Sequence, residues 1–130
     1  MPVPAQALRA CLAEIVGRDH VADDGRAVEA ASVSGVAPRF VVRASTEADV
    51  SAVLALATAE RLAVAPRGRG SSLDLGGPPR RLDVVLDLSR LDAIVEYVPD
   101  DMVASVEAGM TLGALAARLG PRRQRLALDP

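Results

Sequence analysis

Leu8, Cys11, Leu12 and Ile15 recur at i, i+3, i+4 and i+7, one apolar face of a helix that Gly17 closes. Residues 18–38 are polar, contain glycine and show no strong periodicity, so they read as a connection. Arg39-Phe40-Val41-Val42-Arg43 is a short apolar run suited to a buried strand. Ser45 or Thr46 then caps a second helix, with Glu47 and Asp49 in its first turn and Val50, Val53, Leu54 and Ala57 as its apolar face. Leu62-Ala63-Val64-Ala65 predicts another strand, and residues 82–88 a third, followed by a turn at Ser89-Arg90-Leu91. Residues 94–98 and 102–108 flank Pro99-Asp100-Asp101, which reads as a hairpin with an acidic turn. Thr111 caps a last helix carrying Leu112, Leu115, Ala116 and Leu119, which Gly120-Pro121 stops. Residues 122–130 have no periodicity, and no segment repeats.

Strand, helix, strand over residues 39–65 spells a βαβ unit with a right-handed crossover, its two strands paired in parallel. The later switch to a hairpin predicts an α+β chain: a small parallel subdomain, then the start of an antiparallel one. The expected division is a helix and connection over residues 1–38, a first subdomain over 39–91 and a second over 92–130.

Composition narrows the chemistry. Half of the 130 residues are hydrophobic, enough for a packed core, but Phe40 and Tyr97 are the only aromatics. The core must be built from Ala, Val and Leu, and platforms for stacking nucleic-acid bases are missing. All 15 basic residues are arginine, set against 17 acidic ones for a net charge of −2, which argues against nucleic-acid binding. Cys11 has no second cysteine to pair with and is expected as a buried structural thiol. His20, with no second His or Cys near it, reads as a loop residue without a catalytic role, and no metal site is expected. No apolar run approaches the length of a membrane span, and the first residues lack a leader pattern, so a soluble cytoplasmic protein is expected.

The stretch with chemical content is Pro66-Arg67-Gly68-Arg69-Gly70-Ser71-Ser72, directly after the second strand. Two glycines one residue apart permit φ > 0 and close approach of a ligand. Successive N–H groups in such a turn form a nest for an anion, with two serine hydroxyls and the charges of Arg67 and Arg69 beside it. A Walker loop is excluded because the chain has no lysine. A dinucleotide fingerprint is excluded because Leu73 stands at the third glycine position and Gly76-Gly77-Pro78-Pro79 cannot continue as a helix. A loop, rather than a helix terminus, is thus expected to grip a phosphate or pyrophosphate; on residue types alone, a surface turn without a ligand is an equal reading. Arg80-Arg81 and Arg122-Arg123-Arg125 read as solvated surface.

Five segments in order then resemble the FAD-binding domain of the vanillyl-alcohol oxidase and p-cresol methylhydroxylase superfamily. They are residues 40–50, the loop at 66–72, Val84-Val85-Leu86-Asp87-Leu88-Ser89-Arg90-Leu91, Val106-Glu107-Ala108-Gly109 with Thr111-Leu112, and residues 126–130. The short spacer containing Gly76-Gly77-Pro78 is most similar to the FAD-binding subunits of bacterial glycolate oxidase. The resemblance implies that Arg67, Gly68, Arg69, Gly70, Ser71 and Ser72 wrap the FAD pyrophosphate, chiefly through backbone N–H groups, with Pro130 a weaker contact. It implies architectural roles for Glu107 and Gly109, the glycine being expected in a left-handed conformation before the helix. The superfamily's covalent flavin attachment uses His or Cys, sometimes within this loop; the loop here has neither, so FAD is expected to be non-covalent.

What the resemblance does not supply is equally informative. The chain contains no poised catalytic base, and the family's substrate domain lies beyond the stretch that resembles it. The chain is expected to be about half a cofactor site: inactive alone, binding FAD weakly or not at all where an extended version would bind it tightly, and prone to self-association. A longer reading frame or other oxidase subunits would complete it, and a small 2-hydroxy acid would be the substrate through the absent domain. The alternatives are a non-catalytic module that binds a partner subunit, or a binder of another phosphorylated ligand.

Overall fold

Val84, Val85 and Leu86 follow one another with no polar break, the pattern of a strand covered on both faces. In the computed structural model, which describes residues 4–128, they form the middle of the main sheet. In chain order the elements are α1 (Ala5–Val16), β1 (Val21–Ala22), α2 (Gly25–Ala30), β2 (Phe40–Arg43) and α3 (Glu47–Ala59), then β3 (Val64–Arg67) and β4 (Val84–Asp87). A second part comprises β5 (Ile94–Val98), β6 (Val103–Val106) and α4 (Leu112–Leu119). The chain is thus a mixed α and β fold, with one largely parallel sheet and one antiparallel hairpin.

The strands of the larger sheet run in the order β1-β2-β4-β3. β2 and β3 both lie parallel to β4, with Phe40 and Val64 each opposite Val84, while β1 adds an antiparallel edge beside β2. The parallel arrangement agrees with the sequence reading, but the direct pairing of residues 40–42 with 62–65 does not occur. β4 lies between them, because its uninterrupted apolar run belongs where both neighbours and both faces cover it. The strand after α3 also starts two residues later than expected and takes in Pro66 and Arg67.

Side-chain alternation divides the core into two layers. Phe40, Val42, Val84 and Leu86 pack with Leu8, Leu12 and Val16 of α1 and Val53 of α3. Val41 and Val85 pack on the other face with Ala31, Val33 and Leu82. The connection at residues 18–38 is therefore more ordered than its sequence suggests: it supplies β1 and α2, the latter capped by Asp24 accepting from the Ala27 N–H at 3.0 Å.

Two side chains differ from expectation for one reason. The buried stripe of α1 is Leu8, Leu12 and Val16, and Cys11 lies about 100° round the helix from Leu12, so the thiol is exposed. Likewise Leu54 lies one residue beyond Val53 and is exposed, while Leu56 packs on the core. In α4 only Leu115 and Leu119 are buried, leaving Leu112 and Ala116 outside. Thr46 caps α3 through a reciprocal capping box with Asp49, as its spacing implies.

The hairpin forms where expected, with Tyr97 opposite Ala104 and a short helical turn at Pro99–Asp101. A bulge between Ile94 and Glu96 interrupts its register. Residues after α4 close over one face: Gln124 Nε2 donates to the Pro99 carbonyl at 2.6 Å, and the Tyr97 hydroxyl donates to Gln124 Oε1. Among the described residues no helix is long and apolar enough to cross a membrane.

Candidate functional site

β3 ends at Arg67 and releases the chain into residues 68–72 at the carboxyl end of the parallel sheet, where open α/β sheets receive ligands. The two glycines of this loop do different things. Gly70 has φ +84°, a left-handed conformation that side chains rarely adopt, and it folds back over the Arg67 side chain. Gly68 does not use a left-handed φ; a Cβ there would stand 3.2 Å from the Ala108 carbonyl oxygen, so it permits close approach. Among the described residues, the N–H groups of residues 68–72 donate to no protein acceptor. They remain available as a nest of donors, with the Ser71 and Ser72 side chains exposed beside them.

The far end of the loop is anchored. Asp74 accepts from the Ser34 N–H at 3.2 Å and from its hydroxyl at 3.3 Å. Ser34 and Gly35 both have positive φ, forming a tight turn that Val33 and Val36 close with two backbone hydrogen bonds.

Facing the loop is a second wall, residues 108–112, and the cleft between the walls holds about 440 Å³. Gly109 shapes this wall, though not as the sequence suggested: its φ is not left-handed. A Cβ there would lie 2.2 Å from the Leu88 carbonyl oxygen and 2.7 Å from that of Leu91, so glycine is required by contact rather than by conformation. Its N–H donates to Leu91 O at 2.7 Å. Glu107 joins the same seam by accepting from the Ala93 N–H at 2.8 Å through its carboxylate. Thr111 then caps α4 by accepting from the Ala114 N–H at 3.1 Å, so the first residues of that helix line the cleft. The structure therefore adds a helix N-terminus, with its partial positive charge, to the loop expected to act alone.

The electrostatics favour an anion. No carboxylate among the described residues lines the cleft, whereas Arg69 stands exposed at its edge. Arg67 is different: its guanidinium turns away to Asp87, with Nη2 at 3.0 Å from Oδ2. Asp87 is only 5% exposed, and its other oxygen accepts from the Ser89 N–H at 2.9 Å. Burial alone would raise its pKa, but the hydrogen bonds from Ser89 and Arg67 outweigh that and hold it below the ordinary carboxylate value.

The sequence-derived residues 67–72 are thus brought together on one wall, and Pro130 lies outside the described residues. Missed as site components were the facing wall at 108–112 and Asp87 beneath it. Their signal was present in Ala108-Gly109 before a Thr cap and in an acidic residue ending an apolar strand, but neither pattern names a site alone. His20 sits in a short helical turn, where Arg90 Nη1 lies 3.0 Å from its Nε2 and 3.3 Å from Ser45 Oγ.

Residues 38–130 match the family model described as FAD binding domain. The chain is similar to 1'-carboxy-chondrochloren decarboxylase of Chondromyces crocatus, 26% identical over 132 residues, which cover 97% of this chain and 24% of that protein. Its fold is similar to alkyldihydroxyacetonephosphate synthase (TM-score 0.81, 20% identity, 98% of this chain and 29% of that one). It is also similar to p-cresol methylhydroxylase, with TM-score 0.78 and 20% identity over 90% of this chain and 24% of that one. The chain spans roughly a quarter of the length of these relatives.

Proposed function

The chain belongs to the FAD binding domain family, with the fold of the p-cresol methylhydroxylase superfamily, and from that premise we propose that it is the pyrophosphate-gripping part of a flavin-dependent 2-hydroxy-acid oxidoreductase. The observation that carries this reading is the cleft that residues 68–72 share with the first residues of α4: among the described residues the loop N–H groups have no protein acceptor and no carboxylate lines the walls. The residues present fit FAD. Gly68 and Gly70 leave the loop backbone accessible, and among the described residues no carboxylate lines either wall.

When bound, the flavin ring supplies hydride chemistry, and this chain's own residues do the holding. The N–H groups of residues 68–72 and the hydroxyls of Ser71 and Ser72 would hold the FAD pyrophosphate, and Arg69 at the cleft edge would balance the charge. On this reading the FAD would be held non-covalently, the loop at residues 66–72 having neither His nor Cys. The 2-hydroxy-acid substrate and partner subunits rest on the likeness of the Gly76-Gly77-Pro78 spacer to glycolate oxidase FAD subunits. The rest of the protein would form the substrate pocket.

Replacing Gly70 or Gly68 by Val should weaken FAD binding at least about tenfold, because a side chain strains the left-handed backbone at Gly70 and crowds the Ala108 carbonyl at Gly68. Ser71→Ala should weaken it by less, one neutral hydrogen bond being worth about 0.5–1.5 kcal/mol. Flavin fluorescence titration measures both. Equal losses for the two classes would count against a backbone grip.

A further inference from the structure

Asp87 touches neither wall's ligand-facing surface, yet both walls are built on it. Through Oδ2 it takes the Arg67 guanidinium, whose Cδ and Cγ would lie 3.4 and 3.7 Å from a Cβ on Gly70. Arg67 is thereby pinned as the bed under the left-handed turn of the loop. Through Oδ1 it takes the Ser89 N–H at 2.9 Å and so shapes the turn at residues 88–91. The carbonyls of Leu88 and Leu91 in that turn are the surface against which Gly109 of the second wall is seated. A further backbone bond, Leu88 N–H to Arg67 O at 2.8 Å, joins the same turn to the end of β3.

We propose that Asp87 is a positioning residue that fixes the two walls of the cleft relative to each other, holding the loop through Arg67 and residues 108–112 through the turn at Ser89. On this account the Arg67 charge serves Asp87, and Arg67 meets the cofactor through its backbone and stem. The inference rests on the FAD reading for its ligand but not for its geometry.

Asp83 provides an internal control. It directly precedes the first residue of the same strand, is also 5% exposed, and is also ion-paired, to Arg81 at 2.8 Å and Arg39 at 3.7 Å. It accepts from the Ala63 N–H at 2.8 Å, remote from the cleft. A merely structural role for a buried carboxylate would make the two aspartates equivalent.

The test compares Asp87→Asn, Asp83→Asn, Arg67→Met and the double variant Asp87→Asn/Arg67→Met by backbone ¹⁵N relaxation without ligand and by FAD titration. In the free protein, order parameters at residues 68–72 should fall from about 0.85 toward 0.6 in Asp87→Asn and stay unchanged in Asp83→Asn. FAD affinity should drop about tenfold in Asp87→Asn, with little further loss in the double variant beyond Arg67→Met. Equal effects from Asp83→Asn and Asp87→Asn, or fully additive losses in the double variant, overturn the proposal. Should Asp87→Asn fail to fold, Arg67→Met against Asp83→Asn decides the loop arm by the same order parameters. An extended protein that completes the cofactor site and still ignores FAD would refute the flavin reading, while the relaxation comparison would still decide the role of Asp87.

Discussion

β4 and β6 are both strands of four residues rich in valine, yet every residue of β4 is buried and every residue of β6 is exposed. The difference is one of neighbours, not composition. β4 has a parallel strand on each side and a layer of side chains on each face. β6 has only β5, in a hairpin whose two outer edges pair with no other strand among the described residues. Apolar side chains are left in solvent there, Val95 at 71% and Met102 at 83% exposure. The cleft lies on the seam between these two parts, taking the loop from the well-packed sheet and the facing wall from the lightly packed hairpin and helix. One wall is a fixed feature of the core, and the other is placed by a few contacts at Gly109 and Glu107.

The comparison breaks first on stability. Leu86→Ala, in the buried strand, should lower unfolding free energy by about 2–5 kcal/mol, the range for a large core truncation. Val103→Ala in β6 should change it by less than about 0.5 kcal/mol, as for an exposed position. Urea unfolding followed by circular dichroism measures both, and comparable losses would mean that the hairpin shares the core.

Gly109→Ala is expected next, at about 1–3 kcal/mol, because its methyl must displace the backbone of the 88–91 turn. Tyr97, the only tyrosine in a chain without tryptophan, reports on the hairpin alone. In Gly109→Ala its fluorescence transition should fall at lower urea than the circular dichroism transition. Coincident transitions would show that the seam is not where the two parts are joined. Gln124→Ala removes the clamp on Tyr97 and Pro99 and should cost about 1 kcal/mol, read by the same tyrosine signal.

A smaller effect concerns the Asp87 end of β4 and is read by pH. The Asp87 pKa is lowered on folding, so its stabilisation is fully present above the ordinary value of 3.8 and is lost as pH falls through the lower folded value. Urea midpoints of the wild type should therefore decline with acidification below about pH 4 more steeply than those of Asp87→Asn. Parallel declines would remove Asp87 from the acid response.

The sequence made the sheet half more legible than the seam. Periodicity located α1, α3, β2 and β4, and the Thr46 and Thr111 caps set two helix starts within a residue. Glycine spacing marked the loop. What stayed hidden were features decided by tertiary neighbours. The order β1-β2-β4-β3 depends on which strand is covered twice, and β1 and α2 are too short to carry a period. Gly109 looked like a conformational glycine because a cap follows it, whereas its need comes from carbonyls some twenty residues earlier in the chain. Arg67 looked like a free cation, because its partner Asp87 lies on the neighbouring strand.

The central claim, that backbone N–H groups of residues 68–72 receive the FAD pyrophosphate, is tested most directly by amide chemical shifts of the ¹⁵N-labelled chain during titration with FAD, a method that also registers weak binding. The largest shifts should fall at residues 68–72, with a second group at 109–112 across the cleft. A different apolar cleft of about 540 Å³ between the hairpin and residues 123–126 serves as the internal comparison. Shifts centred there, with the amides of residues 68–72 unmoved at saturating FAD, would contradict the account.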